Sequence, residues 1–287
     1  MERKTNLKLG TRLLMLLCLL GIGMIVGSTA ALLCASMGLL TQLGLSQVLT
    51  FVVPSIAVMV LLYRRPLHEM YLYRAPGWKA ILVVVVFYIV SLPAMNWLVS
   101  INASMSLPSW MSGAEQIMRE LEDNAAQTTR QLLDINNIWQ LIPSLLVIGF
   151  LAGLSEEILF RGTMLRTMQD SRLGVHAVVW IVAFVFSAIH LQFYGFLPRM
   201  LLGAWLGYLL VWTRSLWVPI IAHTLNNCTV VVMSYLANLG MVAKDSGDQL
   251  GLPDDGAFPW LALISLVASL AVAVWFGRHC SIKEPQT

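Results

Sequence analysis

No Asp, Glu, Lys or Arg occurs between Arg12 and Arg64, a gap of 51 residues. Further charge-free runs cover 80–114, 135–155, 173–198, 215–243 and 256–277. A mostly apolar run of about 18 residues or more reads as a membrane span. Inside hydrocarbon every backbone N–H and C=O must be satisfied within the protein, so only helices and closed barrels cross. The strict alternation of a barrel strand is absent, so the spans are predicted as helices. Eight are predicted, near 13–40, 48–63, 80–101, 138–159, 173–191, 198–213, 216–237 and 258–277. At about 20 residues each they occupy about 160 residues, in keeping with a 287-residue chain that is 58% apolar and 11% charged. Soluble domains carry about 25% charge, so a soluble globule is excluded, as are a secreted disulfide scaffold and a disordered chain. The fold class is all-α, a polytopic transmembrane bundle.

The first apolar run, Leu13 to Leu40, is 28 residues long. A signal-peptide core is about 7–15 residues, so this run is expected to be retained as a span. Cys18, Cys34, Cys228 and Cys280 form no CxxC pair and read as small packing residues. With the N-terminus inside, 14 Lys and Arg fall on inner segments and 4 on outer ones, the asymmetry that the positive-inside rule requires. Both termini are therefore expected in the cytoplasm, and the protein in the inner membrane if its source is bacterial. Inner segments sum to +8 and outer ones to −5, so the formal +3 hides two opposed faces. No clustered basic face invites nucleic acid.

The longest outer loop, 102–137, carries Ile117, Leu121, Leu132 and Leu133 at near-helical spacing among Glu115, Glu120, Glu122 and Asp123. An amphipathic helix is predicted over 112–134. Ser112-x-x-Glu115 resembles a capping box. The chain divides into 1–137 (spans one to three and this helix), 138–237 (spans four to seven) and 238–287 (an outer loop and span eight).

Ionisable groups inside a span are costly and mark function by default. Few are present. Glu156, Glu157 and Arg161 end span four, His190 ends span five, and His223 lies in span seven. Glu157 and Arg161 are i, i+4 and share a helix face, in the favourable acid-before-base order. Glu156 lies about 100° around the helix without that partner, which makes it the better general base. His223 and Asn227 are also i, i+4, a histidine and a carboxamide able to orient water or donate to an oxyanion. Each element alone has a structural explanation: an interfacial ion pair, a packed histidine, interhelical hydrogen bonds. Together they suit general-base activation of water, or a two-histidine, one-carboxylate metal site made of Glu156, His190 and His223. HExxH, HxxEH and GxSxG are absent, and no Asp lies in a span.

The ordered set Glu156-Glu157-x-x-x-Arg161, Phe186-x-x-x-His190, His223-x-x-x-Asn227 resembles the CPBP family of CAAX proteases and bacteriocin-processing enzymes, which includes the type II CAAX prenyl endopeptidases. The resemblance runs from about 139 to 237, about a third of the chain. It implies an intramembrane endopeptidase acting on a membrane-associated protein or peptide, with the lipid bilayer as its other partner. Glu156 would activate water and His190 position it, His223 and Asn227 would stabilise the oxyanion, and Glu157 and Arg161 would support them. The family's mechanism is argued both with a divalent metal such as zinc and as metal-free glutamate catalysis, and both stay open here. Two other classes also stay open: a non-catalytic immunity, resistance or partner protein of the same fold, and a proton-coupled transporter.

One tension accompanies the spans. At 1.5 Å per residue, Glu156 lies about 17 Å from the loop between spans four and five, and His190 about 26 Å. Their depths agree only if span five tilts or starts outside the lipid core.

Overall fold

A computed structural model describes residues 3–169, 171–243, 249–252 and 257–279. Among the described residues the protein is helical, with no strand beyond an isolated bridge between Arg3 and Tyr63. Seven helices are long and apolar enough to cross a membrane: α1 (Leu9–Leu33), α2 (Leu39–Leu62), α3 (Trp78–Ala103), α5 (Ile138–Met168), α7 (Phe193–Thr213), α8 (Trp217–Asn238) and α9 (Trp260–His279). Between α3 and α5 lies α4 (Ser112–Leu132), and between α5 and α7 lies α6 (Val175–Ala188). Every predicted span therefore has its helix, but the fifth is short. Its 14 residues reach about 21 Å, against a hydrocarbon core of about 30 Å. His190 sits in the turn just beyond α6. His190 lies 15 residues past the start of α6, about 22 Å, and Glu156 12 residues before the end of α5, about 18 Å, so the expected depth mismatch narrows.

The outer surface is apolar in the way a lipid-facing bundle requires. Leu17 and Ile25 of α1 and Ile264 and Val267 of α9 are more than half exposed. Trp78, Trp139 and Trp260 stand exposed at the starts of α3, α5 and α9, where amphipathic rings favour the headgroup level. Buried side chains from α1, α2, α5, α6, α7 and α8 form the central cluster, including Leu16, Met59, Phe160, Val182, Leu210 and Ile220. A second cluster joins α3, α7, α8 and α9 through Val84, Trp205, Leu209, Ala222 and Phe276.

In lipid, helices gain little from hydrophobicity when they meet, and small residues permit the close approach that does hold them. Three Gly-x-x-x-Gly pairs supply it. Gly23 and Gly27 of α1 face α2 at Pro54 and Thr50, Gly149 and Gly153 of α5 face α8, and Gly203 and Gly207 of α7 face α6 at Ala183 and Val179. Proline is rescued by a neighbour in the same spirit. Pro93 interrupts α3, and Ser265 of α9 enters the gap, accepting from Ala94 N at 3.1 Å and donating to Val90 O.

The predicted outer helix forms as α4, but the capping box does not. Ser112 is already helical, and Met111 occupies the N-cap without a side-chain bond. Glu115 instead accepts from Leu107 N (3.0 Å) and pairs with Arg119 (2.6 Å). Cys18 is exposed, so it lines the lipid-facing surface and does not pack inside. Cys34 and Cys228 are half-buried thiols, and Cys280 lies outside the described residues.

Candidate active site

The site begins with the seam between α5 and α8. A Cβ on Gly149 would stand 2.4 Å from Cys228 Sγ, and one on Gly153 would stand 3.2 Å from Thr224 N. Without those side chains the two helices close together, and one turn further along α5 the paired glutamates meet His223. The backbone of α5 is π-helical on both sides of them, at Leu145–Leu151 and Ile158–Leu165. Such wide turns recur at functional sites. The first follows Pro143, which cannot donate to the helical ladder.

The two glutamates differ sharply in surroundings. Glu157 is sealed at 0% side-chain exposure, whereas Glu156 retains 17%. Glu157 Oε1 accepts from Arg161 Nη1 at 2.6 Å and bonds His223 Nδ1 at 2.8 Å. The i, i+4 pair expected from the sequence thus forms, and it extends to a third helix. Arg161, with no exposed side-chain surface, also donates through Nη2 to Gly203 O of α7 at 2.7 Å. Its guanidinium lies over the Phe186 ring at 4.7 Å. One buried cation therefore ties α5 to α6, α7 and, through Glu157, α8.

An acceptor-only carboxylate at Nδ1 places a proton on that nitrogen of His223 and turns Nε2 toward Glu156, whose Oε2 lies 3.8 Å away. His190 Nδ1 bonds Phe186 O at 2.8 Å, which likewise leaves its Nε2 as the outward nitrogen. The Phe186 ring packs edge-on against both His190 (5.3 Å) and His223 (5.9 Å), so the three aromatic rings form one wall. Asn227 lies one turn above His223, with Nδ2 at 3.4 Å from Ile148 O and Oδ1 accepting from Asn226 at 3.3 Å. Both bonds are long, so the carboxamide is loosely held. Asn226 also lines a cavity of about 1680 Å³ between α3, α7, α8 and α9.

Among the described residues no three His, Cys, Asp or Glu side chains converge to hold a metal ion. Glu156 and His223 approach each other at 3.8 Å, and the Nδ1 bonds of His223 and His190 leave both Nε2 atoms free, but the three groups do not converge on one point. The donor set Glu156, His190 and His223 is not gathered into a ligand shell, so these residues as arranged do not fit the metal option.

Sequence reasoning missed two residues around the site. Arg199, the second residue of the predicted span 198–213, is half-buried on α7. A cation inside an apolar run was the available signal. Asn102, 1% exposed, donates to Phe193 O (3.1 Å) and accepts from Leu197 N (2.8 Å). It pins the turn that follows His190, and nothing in its local sequence announces this.

Residues 138–229 match the family described as "Type II CAAX prenyl endopeptidase Rce1-like". This segment is similar to that family. It begins at the first residue of α5 and contains all three motif pairs. Two Bacillus subtilis (strain 168) proteins are similar to parts of the chain. "Putative membrane peptidase YdiL" is 27% identical over 109 residues, 38% of this chain and 43% of that protein. "Uncharacterized protein YpbD" is 29% identical over 86 residues, 29% of this chain and 41% of that protein. The chain thus spans less than half the length of the curated relatives it matches. No solved structure matches it.

Proposed function

We propose that the protein is an intramembrane endopeptidase that hydrolyses peptide bonds of membrane-associated proteins or peptides. The observation that carries this is the pairing of a sealed Glu157, whose Oε1 is bonded to both Arg161 and His223, with a partly open Glu156 that faces His223 Nε2 at 3.8 Å. Such an asymmetry suits one carboxylate for structure and its neighbour for chemistry. The Rce1-like segment and the similarity to a protein named as a membrane peptidase support the same reading.

In this mechanism Glu156 takes a proton from water as the water attacks the scissile carbonyl. His190, fixed by its bond to Phe186 O, offers Nε2 to that water. In its imidazolium form, with Nδ1–H on Glu157, His223 donates Nε2–H to the oxyanion of the tetrahedral intermediate together with the Asn227 amide, and Asn227 can turn because its present bonds are long. Glu157 and Arg161 do not touch substrate. They hold His223 in orientation with Nδ1–H on Glu157, as the carboxylate of a catalytic triad holds its histidine and stabilises the imidazolium. Glu156 then returns its proton to the leaving amine. The termini are cytoplasmic, following the charge asymmetry of the loops.

The test is cleavage by purified protein reconstituted in vesicles. Glu156→Ala, His190→Ala and His223→Ala should insert and fold normally while cleavage falls to background. Undiminished cleavage in those variants would leave the non-catalytic partner protein as the better account.

A further inference from the structure

Arg199 has no part in the mechanism above, yet its surroundings are organised around it. Nη2 donates to Gln192 Oε1 at 2.6 Å. Gly195 leaves room for the guanidinium, since a Cβ there would stand 3.1 Å from Nη2. Gln192 lies two residues past His190, across Leu191, whose backbone is left-handed at φ 54°. The tether therefore fastens the guanidinium to the same strained turn that carries His190. From there it interacts electrostatically with Glu156 and His190, and on the outer side with Glu122 of α4. Nη1, however, is buried and has no hydrogen-bond partner. A charged donor left buried without an acceptor is unfavourable, and each such group in a native structure calls for an explanation.

Peptide hydrolysis inside a membrane creates the complementary problem. A substrate helix must unwind locally before its backbone can be attacked, and each carbonyl so released has no water to bond in hydrocarbon. Resting on the peptidase reading, we propose that Arg199 is a substrate-anchoring residue: its Nη1 donates to a main-chain carbonyl of the unwound substrate, on the His190 side of the scissile bond. The orphan donor of the protein and the orphan acceptor of the substrate satisfy each other. The site is thereby selective for extended, locally unwound segments over intact helices. Arg199 lies toward His190 and Glu156, whereas Asn227 lies beyond His223, so anchoring and oxyanion binding fall to different residues.

The test uses the full-length protein in vesicles and a quenched fluorogenic peptide. The peptide is copied from the strongest cleavage that separates wild-type from Glu156→Gln membranes in terminal proteomics. A charge-assisted bond lost from the bound substrate lowers kcat/KM of Arg199→Gln by about 10- to 100-fold. The loss should appear as a raised KM with kcat within about threefold of wild type, the signature of lost uniform binding. Arg199→Lys keeps the charge without the fork and should fall between. If Arg199→Gln does not fold, Gly195→Ala presses the guanidinium out of place with its charge intact and should raise KM in the same direction. An unchanged KM in the folded variants, whether kcat holds or falls, overturns the anchoring role. Cleavage by Glu156→Gln equal to wild type, or no cleavage by either, overturns the peptidase reading itself, and Arg199's role with it.

Discussion

Replacing Arg161 with Met tests how the bundle is held around its site. Arg161 is among the largest fully buried side chains of the protein, and Met fills much of its volume without its charge. The substitution removes the 2.6 Å bond to Glu157 Oε1 and the 2.7 Å bond to Gly203 O. Glu157 keeps only His223, because its Oε2 already lacks a partner. Removing one member of a buried ion pair costs about 3–5 kcal/mol, mostly through the charge left behind. The stacking on Phe186 adds up to about 2 kcal/mol when desolvated, but these contributions overlap and do not sum. A loss of about 3–5 kcal/mol lowers the folded-to-unfolded ratio about 10²- to 10⁴-fold, against a typical total stability of about 5–15 kcal/mol. Steric trapping or thermal unfolding in vesicles measures it. The double variant Arg161→Met/Glu157→Leu should recover at least half of the loss, because apolar groups can replace a buried pair at little cost. It should not recover cleavage, since His223 loses its orienting carboxylate. The reasoning is refuted if Arg161→Met stays within about 1 kcal/mol of wild type, or if the double variant is no more stable than the single one.

Other outcomes follow from the same contacts. Gly149→Ala drives a Cβ to 2.4 Å from Cys228 Sγ and should cost about 1–3 kcal/mol of overpacking, relieved by adding Cys228→Ala, as thermal unfolding of the single and double variants will show. Asn102→Ala orphans Phe193 O and Leu197 N, which should cost about 1–3 kcal/mol. It should also slow cleavage at temperatures where the variant is fully folded, because the turn behind His190 loosens. Glu115 has its carboxyl held below the usual 4.5, first by the bond from Arg119 and then by that from Leu107 N. Its contribution to docking the start of α4 is therefore complete above 4.5 and is lost as pH falls through the lowered value. The protection factor of the Leu107 amide, its exchange rate referred to the intrinsic rate at each pH, should fall over that acid range and stay constant from pH 5 to 8.

The hydrophobic spans were legible because lipid imposes one rule on every segment of the chain: about 20 uncharged residues, or none across. The outer helix was legible from Ile117 and Leu121 among its acids. The Glu157–Arg161 pair could be read from helical spacing alone. What spacing does not reveal is how helices approach one another. Three Gly-x-x-x-Gly pairs stood in plain view, yet a glycine signals contact only when its partner helix is known, as Gly149 needs Cys228. The link from Glu157 to His223 spans 66 residues, so no local pattern contains it. The shortness of α6 escaped for a related reason. Gly174 caps its start, and the apolar residues Ile189 and Leu191 continue past its end, so hydropathy alone extends the helix too far. Arg199 was hidden by its position at the edge of a predicted span, where a cation ordinarily reaches for the interface.

The central claim is that Glu156 activates water for peptide hydrolysis. It is tested most directly by terminal proteomics of membranes carrying equal amounts of wild-type or Glu156→Gln protein. Gln keeps the shape of Glu156 and removes its capacity to accept a proton. The account predicts new protein termini at or within membrane segments in the wild-type membranes that vanish with Glu156→Gln. Identical sets of termini from the two membranes would contradict it.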